Sequence, residues 1–179
     1  MISIDPAQNS VRENYKLLIG SIIPRPVAFI TSLSNDGLLN GAPFSYFNIV
    51  SADPPFVSIS IQRIKGKQKD TARNIMESRE FVVHIVDERI VEKVNQTAAS
   101  LPSDQSEIDL TGFTPVSSMR ISVPGVKEAK VRMECILEQT LALGGKESPS
   151  CDLIIGRIVQ FHFENNLIEN GRVDPRCLA

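Results

Sequence analysis

Between residues 23 and 86, the polar side chains of this 179-residue chain gather at strand ends and at one helix start. Lys69, Asp70 and Thr71 open an amphipathic segment. They offer an ammonium group, a hydroxyl and free backbone amides to an anion the size of a phosphate. Ala42, Pro43, Phe44, Ser45, Tyr46, Phe47 and Asn48 form a mixed polar and aromatic edge suited to a flat heteroaromatic ring. A phosphate and such a ring on one ligand point to a flavin mononucleotide.

The elements that must position these residues read mostly as strands with short helices between them. Ser10 is placed to cap a helix over 11–20, with Tyr15, Leu18 and Ile19 as its apolar stripe and Gly20 as its stop. Pro24 and Pro26 force an extended entry into a strand over 27–33. The turn signal Asn35-Asp36-Gly37 predicts a hairpin with the strand beginning at residue 38, which sets residues 40–45 beside Thr31. After Asp53-Pro54-Pro55, a strand over 56–61 puts Val57, Ile59 and Ile61 on one face and Phe56, Ser58 and Ser60 on the other.

A helix over 69–78 follows, capped by Asp70 or Thr71 and docked through Ala72, Ile75 and Met76. Residues 81–86 read as a strand, 91–99 as a helix and 101–112 as an acidic, loop-like insertion. Residues 127–143 and 152–163 read as long late strands closed by an Asn165-Asn166 turn. The expected fold is mainly β with short α, a closed or partly closed antiparallel barrel formed by residues 1–179 as a single domain.

Composition excludes several function classes. A net charge of −2 from 19 basic and 21 acidic residues, without a dense Lys/Arg run, argues against a nucleic-acid partner. No apolar run approaches the ~18 residues that span a bilayer, and the start lacks a signal-peptide pattern, so no membrane association and a cytoplasmic location are expected. Cys135, Cys151 and Cys177 form no C-x-x-C pair, and His84 and His162 stand far apart, so free thiols and no metal site are expected. His84 shares a strand face with Val82 and Val86 and reads as a hydrogen-bonded structural histidine. Arg25 either pairs with a carboxylate of the fold or reaches a phosphate. No G-x-G-x-x-G or P-loop spacing is present, so a nicotinamide must bind without a dedicated nucleotide domain.

Several blocks recur together in one order: Pro24-Arg25-Pro26-Val27-Ala28; Asn40, Ala42, Pro43, Phe44, Ser45, Phe47 and Asn48; Ser51, Asp53, Pro54 and Pro55; Lys69, Asp70, Thr71, Asn74 and Ile75; Glu80-Phe81-Val82-Val83; Asn95, Thr97 and Ala98; Glu134-Cys135; and Ile155, Gly156, Ile158 and Val159. On these the chain resembles the flavin reductase-like family of FMN-binding split-barrel proteins, which includes flavoredoxins and the reductase component of nitrilotriacetate monooxygenase. The resemblance implies a split β-barrel of antiparallel Greek-key type, a homodimer with FMN in a cleft to which both protomers contribute, and reduction by NADH or NADPH. It places Thr31 and Ser32 along the flavin. It has Asn40, Ala42, Pro43, Ser45, Phe47 and Asn48 lining the ring and ribityl chain, and gathers Ser60, Lys69, Asp70, Thr71 and Asn74 around the ribityl tail and phosphate. His84 departs from the family, which more often has Asn there, and the chain stops at Ala179, short of a terminal segment that family members usually carry.

The expected activity is that of an NAD(P)H-dependent, FMN-binding oxidoreductase supplying reduced flavin or electrons to a partner monooxygenase. No catalytic side chain is assigned, because hydride transfer between stacked rings needs no obligatory protein acid or base. Two alternatives stand beside it: a non-catalytic FMN-binding electron carrier, and a flavin-free binding module that kept the barrel.

Overall fold

The computed structural model describes residues 1–99, 102, 105–145 and 147–178. Helix α1 (Val11–Ser21) begins at a capping box, in which the Glu13 amide donates to Ser10 Oγ and the Ser10 amide donates to Glu13 Oε2 at 2.8 Å. Its apolar stripe does not dock: none of its residues is buried. Arg25 Nη1 donates to the carbonyls of Ile19, at 2.7 Å, and Ile22, so the guanidinium satisfies the end of α1 rather than a carboxylate or an anion.

Strand β1 (Ala28–Leu33) turns back at Asn35-Asp36-Gly37, where Gly37 takes φ +81°, into β2 (Leu39–Phe44). The expected hairpin forms, with Ser32 opposite Asn40 and Thr31 opposite Gly41. The second strand does not run on unbroken. Ser45 and Tyr46 interrupt it, and β3 (Phe47–Ala52) starts afresh before turning at Asp53-Pro54 into β4 (Pro55–Gln62).

Helix α2 (Asp70–Ser78) and β5 (Glu80–Ile85) follow, then α3 (Val91–Gln96) and α4 (Glu107–Thr111). The helix expected over 91–99 ends early. The acidic stretch expected to be loop-like contains α4, capped by Ser106 Oγ accepting from the Asp109 amide; Leu101, Ser103 and Asp104 lie outside the described residues. Two short strands, β6 (Pro115–Val116) and β7 (Gly125–Val126), pair with each other. The long hairpin of β8 (Val131–Leu143) and β9 (Cys151–Phe163) follows, with β10 (Ile168–Glu169), β11 (Arg172–Val173) and α5 (Pro175–Leu178) at the end.

The main sheet has seven strands in the order β2-β1-β5-β8-β9-β4-β3, every neighbouring pair antiparallel. Its two outermost strands, β2 and β3, are consecutive in the chain and separated only by Ser45 and Tyr46. A connection that short requires the sheet to roll until its edges meet, and the Ser60 amide, donating to Tyr46 O at 2.9 Å, carries the β3–β4 pairing on into that connection. The result is a barrel split between β2 and β3.

Inside it, Ile30, Ile59, Ile61, Phe81, Leu137 and Ile154 form the core, with Ala72 and Ile75 of α2 packed among them. A second apolar cluster, around Phe29, Ile90, Val94, Ile108 and Phe113, covers the other face of β1. Because successive strand residues point to opposite faces, β1 is buried on both sides, with Ile30 in one cluster and Phe29 in the other. The two clusters put α2 and α4 on opposite sides of the sheet, and both helices meet edge strand β2 at Asn40.

Candidate functional site

The site begins at the start of α2. Lys69 is the N-cap residue, and no side chain caps the first turn, so neither Asp70 nor Thr71 plays the capping role expected of them. Asp70 instead pairs with Arg73 at 2.6 Å. The first-turn amides therefore keep their positive potential for an external group. Lys69 Nζ stands 5.9 Å from the centroid of the Phe44 ring, which holds the ammonium near the end of β2.

Thr71 is buried and turns toward the sheet, its Oγ1 donating to Asn40 Oδ1 at 2.9 Å. Asn40 Nδ2 donates to Glu107 Oε2 at 2.8 Å, and the Gly41 amide donates to the same oxygen at 3.4 Å. Behind them, Ser32 Oγ donates to Asn40 Oδ1 and Asn74 Nδ2 to Ser32 Oγ, each at 3.4 Å. Asn74 Oδ1 is buried without a hydrogen-bond partner among the described residues.

Glycine at position 41 lets α4 come this close. A Cβ there would stand 2.6 Å from Ile108 Cδ1 and 2.8 Å from Phe29 Cζ. Glu107 is only 7% exposed, and this burial holds its carboxyl above the usual range against the hydrogen bonds from Gly41 and Asn40; the negative charge of Asp70 pushes the same way.

These groups wall a cavity of about 310 Å3 bounded by the β2 edge, the segment leading into α2, the end of α3 and α4. That volume falls within the ~300–1,000 Å3 typical of small-molecule sites. Of the residues selected from sequence, the cavity brings together Asn40, Ala42, Pro43, Lys69, Asp70 and Thr71. Ser32 and Asn74 stand one layer behind, linked through hydrogen bonds.

Thr31 does not join them. It neighbours Ser32 in the strand and so faces the other way, donating to Pro124 O at 2.7 Å. Phe47 and Asn48 line a different hollow, an apolar groove of about 550 Å3 shared with Ile49, Met133, Ile158 and Phe161. Ser45 lies in the β2–β3 connection, and Ser60 Oγ accepts from Gln62 Nε2 at 3.2 Å.

Sequence reasoning passed over Lys67, Gln68, Thr97 and Glu107 as wall residues. For Glu107 a local signal existed: Ser106 and Asp109 have the S-x-x-D spacing that opens a helix.

Both histidines and Cys135 are taken up by the fold. His84 is fully buried, its Nε2 accepting from the Val126 amide at 2.9 Å and its Nδ1 donating to Phe29 O at 2.9 Å. Burial, with Arg132 nearby, pushes its pKa down to about 3, so the ring is neutral. His162 Nε2 lies 2.6 Å from Glu134 Oε1, and burial pushes the Cys135 thiol well above its ordinary value. Among the described residues no cluster of His, Cys, Asp or Glu is placed to hold a metal ion, and no helix is long and apolar enough to cross a membrane.

Comparison with known proteins fits this geometry. The chain is 58% identical to nitrilotriacetate monooxygenase component B from Bacillus cereus, with a TM-score of 0.98 over 99% of this chain and 89% of that one. It is 34% identical to the 2-nitrobenzoate 2-nitroreductase of Pseudomonas fluorescens, with a TM-score of 0.86 over 96% of this chain and 82% of that one. A split-barrel structure from Shewanella frigidimarina, 24% identical with a TM-score of 0.81, covers 96% of this chain and 84% of its own and shares the fold. Among curated relatives, the uncharacterized protein YwrF of Bacillus subtilis (strain 168) is 52% identical over 90% of this chain and 80% of its own length. Residues 19–175 match the family described as "Flavin reductase like domain". With that match spanning most of a split antiparallel barrel, the chain belongs to the flavin reductase-like family.

Proposed function

We propose that this protein binds FMN in the cavity at the β2 edge and uses NADH or NADPH to reduce it, handing reduced flavin or electrons to a partner monooxygenase. The observation that carries this reading is the convergence in one cavity of the uncapped start of α2, Lys67 and Lys69 with the strand edge Asn40, Ala42 and Pro43. An anion is held by helix amides and ammonium groups, and charge-assisted bonds are the stronger ones. Thr71, Asn40 and Glu107 supply the hydroxyl, amide and carboxyl partners that a polyol chain requires, and Ala42-Pro43 supplies a low wall for a planar ring.

FMN, when bound, supplies the hydride-accepting chemistry. What remains for the chain is to grip the phosphate, orient the ring and keep water out; among the described residues of the wall, both carboxylates are already engaged, Glu107 with Asn40 and Asp70 with Arg73. The name of the Bacillus cereus relative, a component B of a monooxygenase, supports a partner oxygenase.

A homodimer is part of the same reading. The groove holding Ile49 and Phe161, 77% and 42% exposed, lies uncovered, as does the stripe of α1. The protein acts as one domain over residues 1–179 and in the cytoplasm.

The test is an anaerobic titration of the FMN-loaded protein with NADH and then NADPH, followed by flavin absorption. Bleaching establishes the reductase and names the donor. A bound flavin that stays oxidised with both replaces the reductase with an electron carrier, and failure to bind FMN overturns the reading.

A further inference from the structure

We propose, resting on the flavin reading above, that Glu107 is a positioning residue of the cavity: its carboxylate fixes the Asn40 amide with the oxygen toward Thr71, and so sets where the Thr71 hydroxyl proton points. A carboxylate 7% exposed beside a place meant for an anion is costly in isolation. Both hydrogen bonds that it accepts among the described residues go to Oε2, from Asn40 Nδ2 at 2.8 Å and from the Gly41 amide at 3.4 Å. An ionised carboxylate only accepts, so it takes the NH2 side of Asn40 and turns Oδ1 away. There Oδ1 receives the Thr71 hydroxyl at 2.9 Å and the Ser32 hydroxyl at 3.4 Å.

Rotating the Asn40 amide by half a turn would set its oxygen against Glu107 Oε2, oxygen to oxygen, so the order of donors runs one way from Thr71 through Asn40 to Glu107. Thr71 has a single hydroxyl proton, and it is committed inward. Toward the cavity Thr71 therefore offers an acceptor, which suits a hydroxyl of a ribityl chain. The phosphate is left to the α2 amides, Lys67 and Lys69. Asp70, paired with Arg73, does not contend for these donors.

The experiment compares wild type, Glu107→Ala, Glu107→Gln, Thr71→Val and the Glu107→Ala/Thr71→Val double variant. Affinities for FMN and for riboflavin are read from flavin fluorescence, with thermal unfolding of each apoprotein in parallel. Because the step acts on the hydroxyl chain and not on the phosphate, Glu107→Ala weakens both ligands by about tenfold. Glu107→Gln, which still offers Asn40 an acceptor oxygen, recovers to within about threefold of wild type. Adding Thr71→Val to Glu107→Ala costs little more, since both act on one chain of bonds.

Wild-type affinity in Glu107→Ala, no rescue by glutamine, or additive losses each overturn the proposal while leaving the flavin site standing. A wild-type protein that binds neither flavin ends both readings. If Glu107→Ala does not fold, Glu107→Met takes its place: it keeps the bulk, offers Asn40 no carboxyl oxygen and shows the same loss, and wild-type binding by it overturns the proposal.

Discussion

Thr71 Oγ1 donates to Asn40 Oδ1 across 2.9 Å, tying the start of α2 to the outer edge of β2 although 31 residues separate the two. This bond brings the helix start and the strand edge into one cavity wall.

Substituting Lys69 and Thr71 together by alanine removes one ammonium group and one hydroxyl from that wall. FMN affinity is expected to fall about ten- to a hundredfold through the loss of one or two bonds, one of them charge-assisted. Isothermal titration of FMN into a variant with wild-type circular dichroism measures it, and unchanged affinity would remove both residues from the flavin site.

The apolar groove predicts the oligomeric state. Ile49→Asp or Phe161→Asp places a charge on a surface that a second copy would cover, and each is expected to yield monomers while the wild type elutes as a dimer. Light scattering coupled to gel filtration reads the mass directly; a monomeric wild type refutes this.

Gly156 on β9 lies against the tip of the Phe81 ring. A Cβ there would stand 2.3 Å from Phe81 Cζ, and the ring is fully buried in a close-packed interior that yields little. Gly156→Ala is expected to destabilise the fold by about 1–3 kcal/mol, read as a lower urea midpoint.

His84 makes stability depend on pH. Its folded pKa, about 3, lies below the ordinary value of 6.5, so the unfolded chain binds the proton more readily. The stabilisation is fully present above about pH 6.5 and is lost as pH falls toward the folded value. His84→Asn retains a polar group and lacks the titration, so its urea midpoint is expected to drop less than that of the wild type between about pH 7.5 and about pH 4.5. Equal drops would show that the neutral ring does not contribute.

Much of the barrel was legible because its signals are local. The cap at Ser10, the Asn35-Asp36-Gly37 turn and the alternation of Val57, Ile59 and Ile61 each depend on a few neighbouring residues, and each appears in the structure as read. The helix α4 was missed because its acidic composition outweighed the Ser106 cap, and the apolar side that holds it is a single buried residue, Ile108.

The amino-acid order by itself determined the strands, the hairpins and the cation-rich start of α2, since backbone preference and side-chain period act over a few residues. Only the tertiary structure decided which polar groups share the cavity. Strand alternation sent Thr31 to Pro124 and Ser32 to Asn40, and the close approach at Gly41 brought Glu107 from 67 residues away onto Asn40. Both outcomes depend on which face of β1 and β2 packs against which helix, a matter of sheet closure and core packing that no short window of residues contains.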